Sequence, residues 1–182
     1  NLIREGFDRA SVYVVKPGVT EVDGCAAVPS VSALPHRVDL LILAIAAPQM
    51  PGVLTEVIEG RKAESVIVIP GGLEEKAGTA TLVAGMRDAL HASRATDWRG
   101  PIINGGNCLG ILSRPGHYDT MFIPPHKLGT TPGAASPLAI VSQSGAFAAS
   151  RASRFGGVRP MYSITVGNQM DRTVGDYLQH LE

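Results

Sequence analysis

The chain has 182 residues, 45% of them hydrophobic, with 16 basic and 16 acidic side chains and a formal charge of zero. That length accommodates one large domain, or one domain and part of another. The balanced charge leaves no basic surplus for nucleic acid or anionic lipid. The longest apolar run, 40–48, is too short to cross a bilayer, and no signal-peptide pattern is present. Two cysteines, Cys25 and Cys108, make neither a disulfide framework nor a metal-ligand spacing, so a reducing cytoplasm is the expected location. The opening "NLIREGF" reads as the end of a helix already under way, which suggests an excerpt of a longer protein.

In chain order, short β-rich runs alternate with helical patterns. The runs are "VYVV" (12–15), "VDLLILAIA" (38–46), "SVIVIP" (65–70) and "PIIN" (101–104). The second and third are apolar at successive positions, as in strands of a parallel sheet covered on both faces. Between them lie "PQMPGVLTEVIEGRKA" and "LEEKAGTATLVAGMRDALHAS", the latter with Leu82, Val83, Met86 and Leu90 at helical spacing. The alternation predicts right-handed βαβ units and an open, doubly wound α/β sheet. From Gly105 to Pro137 the pattern stops. This stretch is rich in Pro, Gly and Thr and reads as a functional loop passing into a linker. A second α/β unit is expected from about Ser136: a strand at 137–141, a helix near 146–156, a strand at 161–166, and a helix over 171–182 with Asp171 as its cap.

In open α/β sheets, ligands bind beyond the carboxyl ends of the strands. Here those ends read "VKPG" (15–18), "AIAAPQ" (44–49), "IPGGLEE" (69–75) and "INGGNCLG" (103–110). Small residues allow a ligand to approach the backbone closely, although turns in any such fold use Gly and Pro. Asn107 offers an amide. Cys108 lacks an adjacent base or positive field and is favoured as a buried structural thiol over a nucleophile. In "SQSGAF" (142–147), the hydroxyls of Ser142 and Ser144 and the free N–H groups of a helix start can converge on an anion. One serine suffices for a plain cap, so both readings stay open on these residues alone. Arg172 is read as solvated rather than anion-binding. His36, His91, His117, His126 and His180 form no acid–base constellation.

Taken as an ordered set, "VDLLILAIAAPQ", "VIVIPGGLEE", "GGNCLGI", "IVSQSGAF" and "VGNQMDRTVGDYLQHL" resemble the nucleoside-diphosphate-forming acyl-CoA synthetases. That superfamily includes the succinyl-CoA synthetase α chain and the α portion of ADP-forming acetyl-CoA synthetase. The resemblance covers nearly the whole chain. It implies a Rossmann-type CoA-binding domain over 1–133, followed by an incomplete flavodoxin-like α/β domain over 136–182. It further implies CoA contacts at Lys16, Pro17, Ala46, Ala47, Pro48, Pro70, Gly71 and Gly72, and an acyl site near Asn107 and Cys108. Ser142, Gln143, Ser144 and Gly145 would hold a phosphoryl group. The implied ligands are coenzyme A, phosphate and a small carboxylic acid. The implied partners are a nucleotide-grasp domain or β subunit, which binds the Mg-nucleotide, within an oligomer. The catalytic phosphohistidine is expected beyond Glu182 and a Gly-rich loop before Asn1, so the excerpt alone should be inactive.

The sequence departs from the family at position 106, where Gly replaces the usual Pro, and at "PGG", where a Ser or Thr is common. Two other readings compete. One is a CoA-sensing regulatory domain of a protein acetyltransferase. The other is a nicotinamide-dependent dehydrogenase, which calls for an acidic residue where the chain has Lys16.

Overall fold

A computed structural model describes residues 1–73, 75–124, 133–154 and 157–181. The sequence reading of His126 lies outside these described residues.

The central element is a parallel sheet of β4 (Val38–Leu43), β5 (Ala63–Val68) and β6 (Ile102–Gly105), in that order, with Leu41 opposite Val66 and Val66 opposite Ile103. The crossovers are α1 (Met50–Glu59) and α2 (Ala80–Arg94). Val83, Met86 and Leu90 of α2 are buried, as their spacing predicts, with Met50, Leu54 and Val57 of α1 and with Leu41, Leu43, Val66, Val68 and Ile103 of the sheet. Both helices therefore cover one face.

The opposite face of the sheet is covered by the second unit. The odd-man residues of the apolar runs, Leu40 and Ile67, turn to the opposite face and pack with Cys108, Ile111, Ile164 and Val166. Ile111 and Ile164 belong to a second sheet, β8 (Tyr118–Asp119), β7 (Ile111–Ser113), β10 (Pro160–Thr165) and β9 (Ser136–Ser142), in which β9 and β10 run parallel and the β7–β8 hairpin is antiparallel; Cys108 and Val166 lie just outside its strands. The uninterrupted hydrophobicity of β5 thus reflects burial on both sides, with the second unit supplying one of the covers.

The stretch from 105 onward, read as a functional loop passing into a linker, carries β7 and β8, which pair with the second unit through β10. Likewise, β1 (Tyr13–Val15) is followed by no helix. It pairs in parallel with β3 (Cys25–Val28), which forms a hairpin with β2 (Glu21–Val22). Asp23 and Gly24, both at positive φ (52° and 78°), make its two-residue turn. Helices α3 (Gly145–Ala152) and α4 (Val174–Leu181) follow β9 and β10.

Asp171 does not cap α4. Its carboxylate accepts from the backbone N–H of Ile103 (2.8 Å) and from Arg94 (2.6 Å). The cap is a reciprocal pair: the Asp176 carboxylate accepts from the Thr173 N–H (2.7 Å), and the Thr173 hydroxyl accepts from the Asp176 N–H (3.2 Å). Arg172 faces these acids, 3.7 Å from both Asp171 and Asp176, rather than open solvent. No helix among the described residues is long and apolar enough to cross a membrane.

Candidate functional site

The turns after β4, β5 and β6 lie side by side at the carboxyl edge of the parallel sheet. After β4, Ala47–Gln49 form one 3₁₀ turn, with the Gln49 side chain accepting from the Ala46 N–H (3.2 Å). Pro48 stands exposed on it. Ala47 is the nearest neighbour of Gly72: a Cβ on Gly72 would sit 3.9 Å from the Ala47 methyl. Gly72 has φ +82°, where a side chain is strained, so glycine is the residue that makes this turn easily. The Asn107 N–H donates to the Pro70 carbonyl (2.9 Å), and the Asn107 side chain covers Gly71, whose Cβ would come within 3.0 Å of Asn107 Oδ1. Ala46, Ala47, Pro48, Pro70, Gly71, Gly72 and Asn107 therefore form one contiguous surface.

The turn after β6 divides into an exposed tip and a buried stem. Asn107 is exposed at positive φ (51°). Cys108 is buried, its thiol donating to the Val68 carbonyl (3.3 Å) and accepting from Asn104 Nδ2 (3.5 Å). Burial pushes this thiol up to about 11, against weaker lowering by hydrogen bonds from Gly110, Asn104 and its own backbone. A protonated, enclosed thiol is a packing group, not a nucleophile. The stem is braced from the second unit. The Thr165 hydroxyl accepts from the Leu109 and Gly110 N–H groups (2.9 and 3.0 Å) and donates to the Gly110 carbonyl (2.9 Å). Asn104 donates to the Thr165 carbonyl (2.9 Å) and accepts from the Tyr177 hydroxyl (3.0 Å).

In the Ser142–Gly145 turn, each polar side chain has a structural partner. The Ser144 hydroxyl accepts from the Phe147 N–H (3.2 Å), which is an ordinary N-cap. Ser142 Oγ donates to the Ser144 carbonyl (2.9 Å), and the Gln143 amide donates to the Gly167 carbonyl (3.0 Å). Gly145 is required for packing, since a Cβ there would meet the Leu109 Cβ at 2.8 Å. The N–H groups of Gly145 and Ala146 take no acceptor among the described residues, as expected at a helix start.

Gly167 joins the two candidate regions. Its N–H donates to the Gln143 carbonyl (3.1 Å), and a Cβ on it would lie 2.0 Å from the Gly106 carbonyl oxygen. The following residues lie along β6 like an added strand: the N–H groups of Asn168, Met170 and Arg172 donate to the carbonyls of Gly106, Gly105 and Ile103 at 2.7, 2.7 and 3.1 Å. Lys16 and Pro17 belong to a different segment of the fold. They directly follow β1 of the small sheet and are exposed, with the Lys16 N–H donating to the Val28 carbonyl (2.8 Å). Three groups that shape the site, Asn104, Thr165 and Glu75, carry no local sequence signal of their role. No group of three or more metal-ligating side chains occurs among the described residues.

The CoA binding domain family matches residues 1–114. Among curated relatives, a trans-feruloyl-CoA synthase from an unknown prokaryotic organism is 29% identical over 183 aligned positions, covering 100% of this chain and 25% of its own. The ADP-forming acetate–CoA ligase I of Archaeoglobus fulgidus is 30% identical over 176 positions, covering 94% of this chain and 24% of its own. The chain thus spans about a quarter of the length of these relatives. Among solved structures, dinucleotide-forming acetyl-coenzyme A synthetase 1 of Ca. Korarchaeum cryptofilum, in complex with phosphate and ADP, superposes with a TM-score of 0.82 at 24% identity. It covers 99% of this chain and 36% of that one, a likeness of fold.

Proposed function

The chain belongs to the CoA-binding domain family, and from that premise we propose that it is the CoA-binding part of a nucleoside-diphosphate-forming acyl-CoA synthetase. The reaction interconverts acyl-CoA, phosphate and nucleoside diphosphate with free acid, CoA and nucleoside triphosphate, through an acyl phosphate and a phosphohistidine. Residues 1–133 form the CoA-binding domain and 136–182 begin a flavodoxin-like domain. A nucleotide-grasp domain or β subunit supplies the Mg-nucleotide, within a cytoplasmic oligomer. The acyl group stays open, since the relatives act on acids as different as acetate and ferulate.

The observation that carries this reading is the contiguous surface of Ala46–Pro48, Pro70–Gly72 and Asn107, to which Gly167 joins the Ser142–Gly145 turn. CoA lies over Ala46–Pro48 and Pro70–Gly72, where small side chains admit it to the backbone, with Lys16 and Pro17 reaching its outer end. Asn107 presents its amide to the acyl carbonyl, and Cys108 packs beneath. The phosphoryl group takes the two unused N–H groups of Gly145 and Ala146. Ser142, Gln143 and Ser144 hold that turn in shape instead of binding through their side-chain donors. Preorganised donors of this kind stabilise developing charge without rearranging, and phosphoryl transfer asks for little beyond positioning.

Titration calorimetry of the full-length protein with CoA and dephospho-CoA tests the reading. CoA is expected to bind, and absence of binding by both would overturn it. Ser144→Asp, which puts a negative charge at the helix start beside those N–H groups, should abolish phosphoenzyme formation while sparing CoA binding.

A further inference from the structure

The glycine turn after β5 is held by a carboxylate that also reaches the second unit. Glu75 Oε2 accepts from the N–H groups of Gly72 (3.0 Å) and Leu73 (3.1 Å). Its other oxygen, Oε1, accepts from Asn168 Nδ2 at 2.7 Å, across 93 residues of sequence. Burial pushes the Glu75 carboxyl upward, but hydrogen bonds from Asn168, from the backbone of residues 75 and 72 and from Asn107 outweigh it and hold the group below its ordinary value. One carboxylate therefore joins the glycine turn at Gly72 and Leu73 to the 167–170 turn. Asn168 is itself fixed through its backbone to Gly106, and Gly167 to Gln143. A carboxylate accepts with both oxygens, whereas the isosteric amide accepts with one and donates with the other. Bonds to an ionised acceptor are also the stronger kind.

We propose that Glu75 is a positioning residue that locks the 167–170 turn to the glycine turn, fixing the spacing between the CoA side and the phosphoryl side of the site. It touches no substrate and acts through Asn168 and the Gly72 and Leu73 N–H groups. The roles of those two sides rest on the proposed function; the lock itself does not.

Glu75→Ala, Glu75→Gln, Asn168→Ala and the Glu75→Ala/Asn168→Ala double variant test this in the full-length protein, by amide hydrogen exchange and by CoA affinity. Either alanine variant should speed exchange together at Gly72, Leu73, Asn168 and Met170. The double variant should add little to Glu75→Ala, the mark of a shared interaction. CoA affinity should fall about tenfold in Glu75→Ala and less in Glu75→Gln, in line with loss of a charged hydrogen bond. Exchange that rises only at Gly72 and Leu73 would make Glu75 a local turn brace and overturn the lock. Tighter binding of CoA, acetate or inorganic phosphate by Glu75→Ala would also overturn it, by making the carboxylate a plug on the backbone donors. If wild-type protein bound no CoA, the proposed function would fail, and coupled exchange would still decide on the lock.

Discussion

The two faces of the β4–β5–β6 sheet are built on different principles. On the helix face the buried core is an apolar cluster, in which Val66 and Val68 pack with Met50, Leu54, Val83, Met86 and Leu90. On the opposite face, Ile67 packs with Ile164 and Val166, but a buried polar network runs through the same layer, with Asn104 joined to Thr165 and Tyr177, and Thr165 to Leu109 and Gly110. Apolar burial is non-directional and tolerates small shifts. A fully paired buried network admits one register and penalises any other by leaving donors unmade. The helix face thus supplies bulk stability, while the other face fixes where the second unit sits and so where Gly145 and Asn107 lie relative to each other.

Substitutions on each face sharpen this contrast. Gly167→Ala should have the largest effect, because its Cβ would lie 2.0 Å from the Gly106 carbonyl oxygen and backbone must move. A loss of about 4 kcal/mol or more is expected, read as a large fall in the unfolding midpoint. Leu90→Ala on the helix face should cost about 3 kcal/mol through the cavity it leaves, while CoA affinity of the folded fraction is unchanged by calorimetry. Thr165→Val should cost about 2 kcal/mol by stranding the buried Leu109 and Gly110 N–H groups. Unlike Leu90→Ala, it should also disturb the Asn107 tip and weaken ligand binding. Equal effects of these two variants on binding would erase the distinction between the faces.

The smallest effect is a pH dependence. Burial raises the Cys108 thiol from 9.0 to about 11 and the Tyr177 hydroxyl from 10.0 to about 12. Groups raised in the folded state favour folding fully below their unfolded values, and that contribution is lost as pH climbs through the folded ones. Stability should therefore decline from about pH 9 to 11 through Cys108, with Tyr177 adding above about pH 10. Cys108→Ala should flatten the first part of that decline in chemical-denaturation curves. An unchanged slope would mean that the thiol is accessible in the folded protein.

What the sequence discloses follows the same divide. The apolar runs of β4 and β5 and the spacing of Val83, Met86 and Leu90 announce the helix face, because periodicity records burial. The glycine turns at 70–72 and 105–110 are legible as strand ends, and their adjacency follows from parallel topology. The β2–β3 hairpin is short, and its signal is the Asp23–Gly24 pair rather than alternation. The β7 and β8 strands span so few residues that no period develops. Asp171 looks like a cap because that is what aspartate does locally, yet its partners, Ile103 and Arg94, come from far along the chain. Thr165, Asn104 and Glu75 are illegible for the same reason: their partners are set by how the second unit docks.

Backbone amide shifts followed by nuclear magnetic resonance as CoA is added to the full-length protein test the central claim most directly. The account predicts saturable shifts at Ala46, Ala47, Gly71, Gly72 and Asn107, with the buried stem at Gly105 and Cys108 changing less. Saturable shifts confined to another surface, or none at any of these turns, would contradict it.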